Sequence, residues 1–227
     1  MRRSTTTALG LGAVFAALAM TGCAGHTGPT DVSASARGVR TAAPSVPLTS
    51  AQLDHRLLTE SDLGEGYTLK PEVPRHNDDV TVIGCPALQK LGGDTATGSS
   101  LDFARKAKSS FAYTASGSSE VSEELYSDNP TKLSKGISKV FDAMLSCPSY
   151  QVVSGTTAVD IDTEKSTAPD LGDEQWTQLL TFSAGGQRSV VKQTAIRDSN
   201  ILVLVSGSPG LVDAHLGRAV NKALASR

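Results

Sequence analysis

The sequence is poor in the residues that most often carry out chemistry. It has only three cysteines and four histidines in 227 residues, and aromatic residues make up 4% of the chain. No serine stands in a G-x-S-x-G motif, which exposes the nucleophile of α/β hydrolases. The stretch GGDTATGSS imitates a phosphate-binding loop but has Ser99 in place of the lysine. Because no nucleophile or phosphate motif is present, the sequence favours a protein that is not an enzyme.

An excess of charge of one sign is also lacking. The 21 basic and 23 acidic residues give a formal net charge of −2, so nucleic-acid binding has no electrostatic support. Asp160, Asp162 and Glu164 alternate along the chain, but a calcium loop would need a glycine and further oxygen ligands in a tight turn. We interpret these carboxylates as one solvated face of a strand. We therefore predict no metal site and no cofactor.

The N-terminal apolar run is short. Residues 8–20 are apolar, but about 20 such residues are needed to span a bilayer. Arg2 and Arg3 precede this run and Gly22-Cys23 ends it, an arrangement typical of a lipoprotein signal peptide. We predict that residues 1–22 are removed and that Cys23 carries the lipid, including palmitate. The alternative is an ordinary secretory signal cut elsewhere.

Residues 23–49 are rich in Ala, Ser, Thr, Gly and Pro and show no hydrophobic period. Such a segment buries too little apolar surface to offset its ordering entropy, so we predict a flexible low-complexity tether. Residues 50–227 then form one domain. This organisation predicts a protein held at the extracytoplasmic face of the cell membrane by its lipid anchor.

The two remaining cysteines are Cys85 and Cys147. Since an exported chain is oxidised by default, they are predicted to form a disulfide. Pro148 follows Cys147 directly and is expected to stop the preceding helix there. Two buried free thiols are the alternative.

The hydrophobic pattern predicts an α+β domain. Ser50 is expected to cap one helix that ends at Gly64, and Gly117 to turn a hairpin whose second arm has a wet face. Asn129 is expected to cap the clearest helix. Several strands joined by turn sequences should follow, with a strand apolar on both faces at 201–205, before a C-terminal amphipathic helix. We therefore predict a twisted antiparallel sheet with helices packed on it.

Acidic residues and one loop complete the candidate features. Glu120, Glu123, Glu124 and Asp128 are interpreted as a solvated edge. The most suggestive loop is DLGDEQW, in which Asp173 and Glu174 lead into a strand that carries the only tryptophan, Trp176. Asp173, Glu174 and Trp176 are the candidate ligand-binding residues, while core packing is the alternative for Trp176.

Several of these segments together resemble a known group. The leader, the tether, LLTESDLGEGY, the cysteine pair and LGDE (171–174) are similar to actinobacterial cell-surface lipoproteins related to the extracellular sensor domain of PknH-type kinases. The resemblance implies an α/β sandwich-like domain with a ligand cleft and no catalytic residues. This chain has one cysteine pair where the kinase domain has two, and it has no kinase segment.

These observations predict a non-enzymatic lipoprotein that binds a small apolar or cell-wall-derived ligand. The alternative is a structural or accessory module that binds another envelope protein through an exposed apolar patch. A third class is a hydrolase whose triad is assembled from distant residues, for which His55 and His215 would be the bases to test.

Overall fold

The computed structural model describes residues 46–72, 80–92, 101, 103–117 and 119–225. The strands are β1 (Tyr67–Lys70), β2 (Val80–Ile83), β3 (Lys106–Tyr113), β4 (Ser119–Ser127), β5 (Ser149–Ser154), β6 (Thr157–Lys165), β7 (Glu174–Ala184), β8 (Gln187–Asp198) and β9 (Ile201–Gly207). The helices are α1 (Ser50–Asp54), α2 (Glu60–Leu63), α3 (Pro86–Gln89), α4 (Pro130–Leu145) and α5 (Pro209–Leu224), with a 3₁₀ turn at Thr114–Ser116.

The nine strands form one antiparallel sheet in the order β1-β3-β4-β9-β8-β7-β6-β5-β2. Strands β5 to β9 follow one another as a meander, and β3 and β4 form a hairpin. The two parts are joined where β9 pairs with β4. The predicted α+β class, with helices packed on an antiparallel sheet, is therefore confirmed.

Helices cover both faces of the sheet. Alternate residues of a strand point to opposite faces, and β9 shows this directly. Val203 and Val205 pack with α5, α1 and α2, so this side is called the α5 face. Leu202 and Leu204 pack with α4, so the other side is called the α4 face. The expectation that residues 201–205 form a strand buried on both faces is confirmed.

Local sequence signals explain where α4 begins and ends. The Asn129 side chain accepts a hydrogen bond from the Thr131 amide at 2.9 Å, and Pro130 occupies the first turn. Apolar residues then recur at helical spacing and are buried against the sheet: Leu133, Ile137, Phe141 and Met144. Pro148 follows shortly after the helix ends at Leu145.

The disulfide between Cys85 and Cys147 is present, as predicted, and both cysteines are buried. It joins the start of α3 to the chain just after α4, across 62 residues of sequence. Closing a loop of this size stabilises a fold by about 4 kcal/mol in the chain-entropy model. The bond therefore fixes the C-terminal end of α4 to the sheet margin.

Two local predictions are wrong. The single helix expected from Ser50 to Gly64 is two short helices, because Thr59 starts a new capping box at α2. The cap of α1 is Thr49, one residue before the predicted Ser50. In both helices the cap side chain and the third helical residue satisfy each other's backbone N–H groups.

The predicted solvated edge at β4 is also wrong in part. Glu123 is 1% exposed and Glu124 4% exposed, and the nearby Tyr126 is fully buried. The reason is that β4 is an inner strand, paired with β3 and with β9, in a sheet that is covered on both faces. Asp160, Asp162 and Glu164, by contrast, are exposed on β6 as expected.

Candidate ligand-binding site

A cavity of about 610 Å³ lies between α4 and the α4 face of the sheet. We call it the α4 cavity. Its lining is mainly apolar and comes from three places: the segment before β3, one flank of α4, and the inner strands β8 and β9. The apolar lining residues are Leu101, Phe103, Ile137, Val140, Phe141, Met144 and Leu204. The volume and lining are those of a small-molecule pocket.

A glycine in the middle of α4 shapes one wall of the cavity. A Cβ atom on Gly136 would lie 2.5 Å from Cζ of Phe103, closer than real Cβ contacts come. Glycine inside a helix costs about 0.5–1 kcal/mol relative to alanine. This cost is explained here because only glycine lets the Phe103 ring lie directly against the helix.

Phe103 is held in turn by Tyr126 of β4. The two rings meet edge to face with centroids 5.5 Å apart, and the Tyr126 hydroxyl accepts a hydrogen bond from the Leu101 amide at 3.0 Å. Tyr126 therefore fixes the segment that forms the outer wall.

A buried charged cluster lies behind this wall. The Tyr126 hydroxyl donates to Glu124, and the Lys108 ammonium lies 2.7 Å from the other carboxylate oxygen of Glu124. Burial and the neighbouring Glu124 charge raise the pKa of Tyr126, so its hydroxyl stays protonated and remains a donor. Glu124 pairs across the sheet with Leu204, which lines the cavity.

The floor of the cavity carries one amide. Gln193 of β8 lines the cavity and accepts a hydrogen bond through Oε1 from Nε2 of Gln178, at 2.9 Å. Gln178 is fully buried, and its Oε1 has no partner in the described part of the chain. Gln193 is thus a buried polar group among the mainly apolar lining residues.

Lysines line the mouth of the cavity. Lys132, Lys135 and Lys139 project from the same flank of α4 and are exposed. Lys132 is paired with Asp128 at 2.6 Å and lies 5.8 Å from the Phe103 ring centroid. Neither Lys135 nor Lys139 forms an ion pair with any residue that the structure describes.

The predicted residues Asp173 and Glu174 lie outside this cavity and hold the turn between β8 and β9. Arg197 reaches both carboxylates, at 2.9 Å to Asp173 and 2.6 Å to Glu174. The Ser199 amide also donates to Asp173 at 2.9 Å, and this bond is the main reason why the pKa of Asp173 is lowered. Their observed contacts are thus internal to the fold.

The predicted Trp176 is partly buried on the α4 face. It packs against the apolar cluster that includes Phe103, Phe141 and Leu204, but it does not line the cavity. Its proposed contact with a ligand stays a prediction. The predicted lipidation residue Cys23 lies outside the described residues.

The histidine at 215, predicted as a base to test, lies away from the α4 cavity. His215 is on the α5 face, where its Nε2 and the Tyr67 hydroxyl share a hydrogen bond of 2.6 Å. Burial lowers the pKa of His215. No group of three or more possible metal ligands occurs among the residues described.

A second, smaller cavity of about 440 Å³ lies between α5 and the segment before β7. Leu171 and Leu216 line it, together with the ion pair of Lys192 and Asp213. Its lining lysine, Lys192, is paired with Asp213, whereas two of the lysines that line the α4 cavity have no ion pair among the described residues.

The α4 cavity was not predicted from the sequence, although the spacing of three of its lining residues could have been recognised there. Lysines at 132, 135 and 139 follow helical spacing and predict one shared flank of α4. The contact between Gly136 and Phe103 joins residues far apart in sequence and could not be recognised without the fold.

The described helices include none that is long and apolar enough to cross a membrane. No family model matches the sequence, and no curated protein matches it. Among solved structures, the chain is similar to the extracellular domain of PknH from Mycobacterium tuberculosis, with 14% identity and a TM-score of 0.57 over 78% of this chain and 98% of that one. The Rv0999 ortholog from Mycobacterium smegmatis, a putative uncharacterized protein, gives 12% identity and a TM-score of 0.39 over 78% and 95%.

The likeness to the PknH extracellular domain shows a shared fold. The resemblance predicted from short motifs is therefore confirmed at the level of fold.

Proposed function

We propose that this chain is a non-enzymatic extracytoplasmic lipoprotein, anchored through Cys23, whose domain binds a small apolar or cell-wall-derived ligand in the α4 cavity. The observation that carries the proposal is the cavity of about 610 Å³ with its apolar walls. A pocket of this size fits a drug-sized molecule and offers it a largely preformed apolar site. The PknH domain with the similar fold is described as extracellular, which agrees with this placement.

Two further features support an exported, binding protein. The Cys85–Cys147 disulfide fits an oxidising compartment. The leader that ends at Cys23 has the pattern of a lipoprotein signal peptide.

The accessory-module alternative predicts one large exposed apolar patch. Among the described residues, the exposed large apolar side chains instead come from five separate segments, and two of these are the opposite edge strands β1 and β2. They are Val46, Leu69, Ile83, Leu171 and Val190. Single exposed apolar residues are normal on a soluble surface, so the cavity is the stronger feature.

Native mass spectrometry of full-length protein, extracted gently from membranes of an actinobacterial host, tests ligand capture. Wild-type protein is expected to carry an extra mass that disappears on denaturation. Val140 lines the cavity, so Val140→Trp should fill it and abolish the extra mass. Val190→Trp changes an exposed residue of β8 and should keep it.

A bare wild-type mass, or an extra mass that survives Val140→Trp, would contradict binding in the α4 cavity. A bare wild-type mass would favour the alternative function, binding of a protein partner in the envelope, which crosslinking in the membrane would then identify.

Intact-mass analysis of the same material tests the anchor. A free Cys23, or an N-terminus elsewhere, would contradict lipidation.

A further inference from the structure

The charges at the mouth of the α4 cavity indicate the chemical class of its ligand. Lys135 and Lys139 are four residues apart on α4, so their Cβ atoms are about 5–6 Å apart. Two like charges at this spacing destabilise a helix slightly. Asp142 is three residues beyond Lys139 but forms no ion pair with it. The pair therefore leaves positive charge without a counterion in the described part of the fold.

The neighbouring lysine behaves differently. Lys132 is neutralised by Asp128 and its ammonium group lies over the Phe103 ring. Lys132 therefore contacts the part of the cavity wall that Phe103 forms. Of the lysines that line the cavity in the described part of the chain, Lys135 and Lys139 are the two whose ammonium groups remain available to a ligand.

Apolar surface begins directly below these two lysines. Val140 and Met144 continue the same flank of α4 into the cavity, and Leu204 closes it from the sheet. A ligand that satisfies both regions must have an apolar body and an anionic end. Each methylene group moved from water into such a space contributes about 0.8 kcal/mol, so an alkyl chain is a favourable body.

We propose that the α4 cavity binds an anionic amphiphile, with its alkyl chain among Val140, Met144 and Leu204 and its carboxylate or phosphate between Lys135 and Lys139. This inference rests on the proposed function, since it specifies the ligand of the same cavity. A carboxylate and a phosphate share the required chemistry, that of a compact anion with several acceptor oxygens.

The test uses the full-length protein in nanodiscs of zwitterionic lipid, with empty nanodiscs to measure partitioning. The probes are dodecanoate, dodecyl phosphate and dodecanol, which share one chain and differ in the head. The two anions are expected to bind about five- to tenfold more tightly than dodecanol, since exposed ion pairs contribute little each. Lys135→Gln with Lys139→Gln should remove this preference and leave dodecanol binding unchanged.

A matched control removes the same charge elsewhere. Lys165→Gln with Arg188→Gln changes exposed residues of β6 and β8 that do not line the cavity, and it should keep the preference. If both double variants lose the preference equally, the effect is one of net charge and the inference is wrong. Thermal unfolding of each variant checks that the fold is retained.

The outcomes separate the two proposals. If dodecanol saturates the protein as tightly as the anions do, the anionic preference is wrong but a cavity for apolar ligands stands. If no probe saturates above the empty nanodiscs, the inference of an anionic amphiphile is wrong, and the extra mass in native mass spectrometry decides the proposed function separately. If the phosphate alone is preferred, the ligand class narrows to phosphorylated amphiphiles and the inference stands.

Discussion

Replacing Glu123 by glutamine is expected to remove a large part of the pH dependence of stability. Glu123 lies on β4, points to the α5 face and is 1% exposed. Its Oε2 accepts a hydrogen bond from the Leu58 amide at 2.6 Å, while its Oε1 has no partner among the described residues. Burial raises the pKa of Glu123 from 4.5 to about 8, although the Leu58 amide and the Lys222 charge oppose this.

The direction of the effect follows from these two pKa values. Well below pH 4.5 the carboxyl of Glu123 is protonated in both the folded and the unfolded chain, so it does not make the free energy of unfolding depend on pH. Between pH 4.5 and about 8 only the unfolded chain ionises, and the free energy of unfolding falls as the pH rises. The slope is about 1.4 kcal/mol for each pH unit, which gives a loss of about 5 kcal/mol across the window.

Urea unfolding of both proteins at pH 5, 6, 7 and 8 measures the difference directly. Glutamine keeps an acceptor for the Leu58 amide and carries no charge, so Glu123→Gln should gain stability relative to wild type as the pH rises. Burial lowers the pKa of His215, so its protonation decreases the free energy of unfolding at acid pH. This contribution is the same in both proteins and cancels when their free energies are subtracted. Glu164→Gln, at an exposed residue of β6, is the control. Parallel pH profiles for Glu123→Gln and wild type would refute the reasoning.

Two further changes test the structural parts of the site. Replacing both Cys85 and Cys147 by alanine should lower the free energy of unfolding by up to about 4 kcal/mol in urea, and an unchanged midpoint would show that the bond adds nothing. Gly136→Ala should destabilise by about 1–3 kcal/mol because its Cβ would meet Phe103, while Gly217→Ala in α5 meets nothing within 4 Å and should stabilise by about 0.5–1 kcal/mol. Thermal unfolding of the two glycine variants shows whether each melting temperature falls or rises. Equal shifts would contradict the contact between a side chain at position 136 and Phe103.

The parts of the fold that were predictable from the sequence are those with local causes. The cap at Asn129, the proline after it and the apolar spacing of α4 lie within one helix. The turns between β7, β8 and β9 likewise join neighbouring strands. The place of each strand in the sheet could not be predicted in this way, because it depends on long-range pairing. Strand β4 pairs with β9, which lies about eighty residues further along the chain.

That long-range pairing explains the wrong prediction of a solvated edge. Glutamates on a strand indicate an exposed edge when only the hairpin of β3 and β4 is considered. Once β9 pairs with β4, Glu123 and Glu124 lie inside the sheet. Arg197 pairs with Asp173 and Glu174, a contact between residues more than twenty positions apart that composition alone did not show. Their contact with a ligand stays a prediction.

The adjacent residues Glu123 and Glu124 show how partners decide the consequence of a buried carboxylate. Glu124 points to the α4 face, where Lys108 neutralises its charge and the Tyr126 hydroxyl donates to it. A buried charge that is paired and hydrogen-bonded can be kept as a positioning group. Through Tyr126 it holds the wall formed by Phe103. Glu123 on the opposite face accepts one backbone hydrogen bond, and burial favours its neutral form. The same residue type therefore supports the cavity wall on one face and makes stability depend on pH on the other.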